Sequence, residues 1–426
     1  MVDVSEVHTS TDEELRRRVQ RRTILTVSAS TIFARAATSA MFTVAALVIK
    51  DLLEAGTWAG LSTVAIAGGG AVSATMLSSY MARKGRRPGL VVGFSLAVIG
   101  AIVAMVGLEI ESIVVYLLGL LFIGVGGTGA SGLSRYVAAD LATDERRSRD
   151  LSWVLFSSTF GSVGGPLLVG IAGGLALDAG FEENSGPFGL AALLFLAATA
   201  IPMLFLRPDP LLLAKELELV EEREPLGFKK AVGVVARNPA ARFAFAALLI
   251  SHAVMVTVMA MTPLHMDAHG HELGVIGAVI SAHTAGMFAF SPIAGWVSDR
   301  YGRLPTILMG GSFLLTATVL TALATSAPQA LMFPGLWLLG LGWSFGVVAG
   351  SALLTESVEP HERVGVQGAS DVGMNASGGI GALGSGVIFE MQGYHVLSMI
   401  GTVAAGILVL QAFYRWRLAA VAPVSV

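Results

Sequence analysis

Twelve apolar runs, each about twenty residues long, follow one another through the chain, and this repetition limits the fold more than any other feature. They lie at roughly 23–49, 57–81, 89–108, 112–138, 151–174, 187–206, 240–264, 272–297, 306–326, 329–354, 366–389 and 394–415. A soluble domain would carry about 25% charged residues. Here 13% of 426 residues are charged and 54% are hydrophobic. One buried core cannot absorb that much apolar surface, so lipid must be part of the solvent. In hydrocarbon each backbone amide needs an internal partner, and uninterrupted runs of this length provide one as α-helices. The expected fold class is therefore an all-α membrane protein with twelve transmembrane helices, and the lipid bilayer is its first partner. No cysteine is present, which removes disulfides, thiolate metal sites and cysteine nucleophiles together. No phosphate-binding GxxxxGK[ST] loop occurs, so ATP is not the expected energy source. No cofactor and no nucleic-acid partner is expected.

The basic residues fix an orientation. If the N-terminus and every alternate loop are taken as one side, that side holds 25 of the 27 lysines and arginines. The other two are Arg35, inside the first run, and Lys50, on the opposite side. Such a bias places both termini in the cytoplasm and the protein in the inner (plasma) membrane.

A repeat divides the chain. RKGRRP (83–88) follows the second run and RYGRLP (300–305) follows the eighth, both on the cytoplasmic side. The halves thus have six helices each and the same orientation. The expected organisation is a cytoplasmic N-terminal segment (1–22), an N-terminal six-helix bundle (23–206), a cytoplasmic linker (207–239), a C-terminal six-helix bundle (240–415) and a cytoplasmic tail (416–426). Within the linker, LLLAKELELVEERE reads as a surface helix with Leu211, Leu212, Leu219 and Val220 on its apolar side.

These motifs resemble those of the major facilitator superfamily, over essentially the whole chain. GWVSDRYGRLP matches that family's cytoplasmic signature through Gly295, Asp299, Arg300, Gly302 and Arg303. The resemblance implies a charged latch between neighbouring helices there. The first-half copy, SSYMARKGRRP, keeps Arg83, Gly85 and Arg86, but Ser78 replaces the glycine and Ala82 the aspartate. That half is left without the latch carboxylate. Arg135 in SRYVAAD resembles the family's helix-four arginine. GSVGGPLLVG resembles its antiporter signature through Gly161, Gly165 and Pro166, with Val169 departing from the terminal glycine pair. The resemblance implies two pseudo-symmetric bundles that rock about a substrate held near the midplane, in a secondary transporter that works as a monomer.

The stretch 251–287 holds five of the eight histidines and five of the sixteen methionines. Met255 and Met259 are four residues apart on the seventh helix, and His283 and Met287 are four apart on the eighth, so each pair shares a face. At 1.5 Å per residue Met255 lies roughly 14 Å below the outer surface, with His283 at similar depth. The expected series runs from His265, His269 and His271 at the mouth through Met259, Met255 and His283 to Met287. Thioether plus imidazole without carboxylate suits Cu(I). Ordinary apolar packing, with methionine as filler, accounts for the same residues. MxxxM and HxxxM in these two helices resemble the pattern of CcoA-type copper importers, a branch whose riboflavin-carrying relatives share the same overall sequence character.

Arg35, near the middle of the first helix, is costly unless it faces a cavity or a partner. Arg35, His265 and Asp371 form the expected substrate-cavity set. Exporters of cationic drugs use a deep carboxylate, which this chain lacks apart from Asp371; Asp140 and Glu356 lie at cytoplasmic helix ends. Were transport coupled to protons, His283 or Asp371 would carry them. Two readings of the substrate stand: copper taken inward along Met259, Met255, His283 and Met287, or a small organic solute such as a riboflavin-like molecule or a drug. A membrane enzyme with a histidine-bound metal is set aside, because the only tight histidine group lies in an external loop.

Overall fold

The computed structural model describes residues 4–217, 227–359 and 362–421. All regular structure among them is helical. The chain forms two compact units, one of residues 1–48 and 65–223, the other of residues 49–64 and 224–426.

The first unit contains α1 (Val4–Leu53) up to residue 48, then α2 (Leu61–Val72) from residue 65 and α3 (Ser78–Lys84). It continues with α4 (Arg86–Glu109), α5 (Ile113–Ile123), α6 (Ser131–Ala139), α7 (Asp144–Leu167), α8 (Val169–Asp178), α9 (Gly186–Phe205) and α10 (Pro210–Glu216). The second unit takes the end of α1 and the start of α2, with α11 (Phe228–Arg237), α12 (Pro239–Asp267), α13 (Leu273–Phe288), α14 (Ser291–Tyr301), α15 (Arg303–Leu323), α16 (Gln329–Glu356) and α17 (Arg363–Val421).

Nine helices among the described residues are long and apolar enough to cross a membrane, or ten with α7 and α8 joined across their 44° bend. The twelve expected runs are all helical, and local backbone breaks explain the lower number. Gly393, at φ 81°, divides α17 between the last two runs. The second run is interrupted by a π-helical turn, Ser73–Leu77, between α2 and α3. A second π-helical segment, Gly124–Ala130, joins α5 to α6. Such turns add a residue to the ladder and redirect the side chains that follow. The bend after α7 follows Pro166, which cannot donate to the helix ladder.

In the first unit α1 is the buried axis: Ala34, Ala37, Ala40, Met41 and Val44 are fully enclosed. Alanine and glycine dominate these contacts because, with no hydrophobic drive between helices in lipid, close backbone approach supplies the packing. In the second unit residues 49–64 pack beside the end of α12 and the middle of α17. Lys50 Nζ pairs with Asp267 at 2.9 Å, and the Gly56 N–H donates to Glu390 at 3.1 Å.

The linker helix is described only in its first part. α10 spans Pro210–Glu216, and Leu219 and Val220 lie outside the described residues. Leu211 is buried as expected, but Leu212 is exposed and Leu213 takes the inner position, against Val19 and Leu141. Asp209 caps the helix, accepting from the Leu211 and Leu212 amides at 3.0 and 3.3 Å, and this sets which residues face inward.

Candidate functional site

The two copies of the cytoplasmic loop share one backbone device. Gly85 ends α3 at φ 104° and Gly302 ends α14 at φ 94°, a left-handed conformation that a side chain disfavours. Each glycine turns the chain so that the next arginine, Arg86 or Arg303, opens the following helix. Arg303 donates to Asp299 at 2.5 Å, to Ser298 at 2.9 Å and to Glu356, at the end of α16, at 2.7 Å. Arg300 is exposed, with no hydrogen-bond or ion-pair partner among the described residues.

The first loop lacks an aspartate at position 82, yet it is not without carboxylates. Arg86 makes a two-pronged pair with Asp140, at the end of α6, at 2.8 and 3.0 Å. Asp209 accepts from the Arg87 backbone N–H at 2.7 Å and lies where a side chain on Gly85 would project. Lys215 reaches the Ala82 carbonyl at 3.2 Å. The sequence reading missed this because Asp209 lies beyond the sixth helix, 127 residues from Ala82. Arg83 is exposed and donates to the Ser79 carbonyl of its own helix at 3.3 Å. The side chain of Arg135 lies outside the described residues.

Gly165, in the antiporter-like stretch, lies directly on the Ala36 carbonyl of α1, and a methyl group there would overlap it. Pro166 follows, one residue before α7 ends.

The His/Met residues lie in the second unit on α12 and α13. Met255 is buried and Met259 and Met287 are half-buried. His283 is 2% exposed and turned to α16, where its Nδ1 donates to the Leu336 carbonyl at 2.9 Å. No hydrogen bond joins it to α12. Among the described residues no three or more His, Asp or Glu side chains are grouped to hold a metal ion, so copper would depend on the thioethers and His283.

The three loop histidines each bond to a backbone carbonyl. His265 is buried, donates to the Ala324 carbonyl at 2.8 Å and stacks on Tyr394 with ring centres 4.3 Å apart. Tyr394 in turn shares a hydrogen bond with Thr262. His269 bonds to the His265 carbonyl and His271 to the Ala327 carbonyl, at 2.7 and 2.8 Å. Each ring is engaged in fastening a helix end. Arg35 on α1 and Asp371 on α17 are both half-buried, each within its own unit, and the Asp371 carbonyl accepts from Asn375 at 2.8 Å.

An aromatic group that the sequence reading did not single out lies deeper in the second unit. Trp343 of α16 donates its indole N–H to Nδ1 of His252, on α12, at 3.1 Å. Phe288 of α13 meets the Trp343 ring edge-on at 5.8 Å. Both His252 and Trp343 remain partly open. Accepting at Nδ1 fixes the neutral tautomer, which carries its proton on Nε2. That nitrogen lies close to Gly378 of α17, where a Cβ would be only 3.0 Å away, so the missing side chain lets α17 pack against the imidazole. The arrangement offers a flat apolar face beside one directed N–H. Its one signal in the sequence is that His252 stands three residues before Met255, on the same helix face.

Comparison with known proteins agrees with this architecture. The sequence profile of the Major Facilitator Superfamily matches residues 27–275 and 244–425. An uncharacterized MFS-type transporter of Bacillus subtilis (strain 168), YdeG, is 36% identical over 397 residues, covering 93% of this chain and 92% of that protein. The riboflavin transporter RfnT of Brucella anthropi is 28% identical over 328 residues, 75% of this chain and 77% of that protein. Among solved structures, a POT family transporter in complex with a thioalcohol-conjugated peptide superposes with a TM-score of 0.70 at 12% identity, over 93% of this chain and 96% of that one. That likeness is one of fold.

Proposed function

Because this chain belongs to the Major Facilitator Superfamily, and is therefore a membrane transporter rather than an enzyme, we propose that its substrate is a small planar organic solute of flavin type. One observation carries the reading: Trp343, Phe288 and His252 converge from three helices, with Trp343 and His252 left partly exposed. A flat heteroaromatic ring stacks on Trp343, and His252 Nε2–H donates to a ring carbonyl or nitrogen. Stacking on an indole is tolerant of ring identity, whereas the donor selects for an acceptor at its edge. The printed name of the relative RfnT supports the same substrate class. Arg35, an intramembrane cation in the first unit, suits a solute with anionic or carbonyl groups better than it suits a bare metal ion.

Copper carried along Met259, Met255, His283 and Met287 ranks below this reading. His283 is enclosed and its ring nitrogen is bonded to the Leu336 carbonyl of α16.

The test is riboflavin binding to the purified protein in lipid nanodiscs, read from quenching of flavin fluorescence. Wild type should quench saturably. Trp343→Ala should weaken binding at least about fivefold, since losing one stacking partner costs on the order of 1–3 kcal/mol. His252→Ala should weaken it less. Saturable binding unchanged in both variants, or none in wild type, would remove the aromatic group as the site.

A further inference from the structure

α1 is far longer than a membrane requires. Its stretch Glu13–Leu53, 41 residues with the apolar part towards the end, measures roughly 60 Å at 1.5 Å per residue, against a hydrocarbon core of about 30 Å. The N-terminal turns therefore stand clear of the core, and one face of them is fastened down. Arg16 donates to the Leu141 and Ala142 carbonyls, both at 2.8 Å. Gln20 donates to the Ala138 carbonyl at 2.8 Å and to Asp150 at 2.7 Å.

The opposite face is left open. A groove of about 700 Å³ runs between α1 and the end of α9. Its upper wall is Arg17, Arg18, Arg21 and Arg22 against a single carboxylate, Glu14. Arg17 pairs with Glu13 and Arg18 with Glu14, in i,i+4 contacts more than two-thirds exposed, which hold little free energy. Arg21 and Arg22 have no hydrogen-bond or ion-pair partner among the described residues. The lower wall is apolar: Leu25, Ala29, Ile201 and Phe205, with Leu25 and Phe205 more than half exposed. Arg21 and Leu25 are one helical turn, about 6 Å, apart.

We propose that this groove binds an anionic phospholipid of the leaflet that faces the N-terminus. Arginine forks receive the phosphate and the apolar wall receives an acyl chain, at the depth where a lipid presents both. A zwitterionic headgroup would bring its own cation against the arginines, so selectivity falls to lipids of net negative charge. A free phosphate would gain nothing from Leu25 or Phe205.

The test is native mass spectrometry of the full-length protein released from detergent after titration with phosphatidylglycerol or phosphatidylcholine. Wild type should retain phosphatidylglycerol in preference. Arg21→Gln/Arg22→Gln should weaken that retention at least about tenfold, two surface cations being removed. Lys229→Gln/Lys230→Gln, on α11 and not among the residues that line the groove, should leave it unchanged. Millimolar inorganic phosphate should not displace the lipid. Equal retention in the arginine variant, no preference over phosphatidylcholine, or displacement by inorganic phosphate would each overturn the proposal. If the glutamine variant does not purify, Arg21→Lys/Arg22→Lys keeps the charge and loses the fork. It should bind phosphatidylglycerol more weakly than wild type, and unchanged binding would overturn the assignment.

Discussion

Arg86 and Arg303 hold corresponding places in the two loop copies, and each takes a carboxylate from a distant helix end. Their surroundings differ. Side chains of the Arg86–Asp140 pair are 16% and 9% exposed, whereas Glu356 is 51% exposed and Asp299 75%. Solvent screening weakens the second set and leaves the first strong. Arg86→Ala should therefore cost roughly 2–3 kcal/mol of stability, because Asp140 is left enclosed and unpaired. Glu356→Ala should cost less than about 1 kcal/mol. Thermal melts of the two variants in one detergent would check the order, and equal losses would contradict it. His265 belongs to the same scale. Its ring is enclosed, stacked and hydrogen-bonded. His265→Ala should lower the melting temperature and leave riboflavin affinity untouched. A change in affinity at unchanged stability would return His265 to the substrate path.

Among elements, α10 shows how a short helix can stand in for a missing side chain. Asp209 caps it and holds the Arg87 amide, and Lys215 at its far end holds the Ala82 carbonyl. Asp209→Ala removes the cap and the clamp together, which should cost about 1–2 kcal/mol. Limited proteolysis should then cut near residues 207–217 faster than in wild type, and an unchanged rate would show that α10 is held by Leu211 and Leu213 alone. The contact of α7 with α1 at Gly165 is less forgiving. A side chain there meets backbone, which cannot move aside, so Gly165→Val should abolish the folded monodisperse protein in size-exclusion profiles.

At the scale of the whole molecule, the absence of cysteine makes topology directly measurable. The arginine and lysine bias predicts residue 215 inside and residue 270 outside. In intact cells an impermeant maleimide should label Gly270→Cys and should reach Lys215→Cys only after permeabilisation. The reverse pattern would invert the protein. Cell-associated copper, measured by elemental analysis with wild type and with Met255→Ala/His283→Ala at equal membrane levels, should be the same in both. A deficit confined to the double variant would restore the copper reading over the flavin one.

Hydropathy runs, loop charges and the 83–88 and 300–305 repeat settled the helical membrane fold, because each depends on residues near one another in the chain. The two loop motifs were legible for the same reason, whereas the left-handed turns at Gly85 and Gly302 came from the structure. Partner choice was not. Whether His252 meets Trp343, whether His283 turns to α16, or whether Asp209 substitutes at a loop 127 residues away depends on how each helix is rotated and how its ends are packed. Periodicity shows which residues share a face, but only tertiary packing decides what that face meets. The two π-helical turns sharpen the point, since each shifts the residues after it by a fraction of a turn that no hydrophobic pattern records.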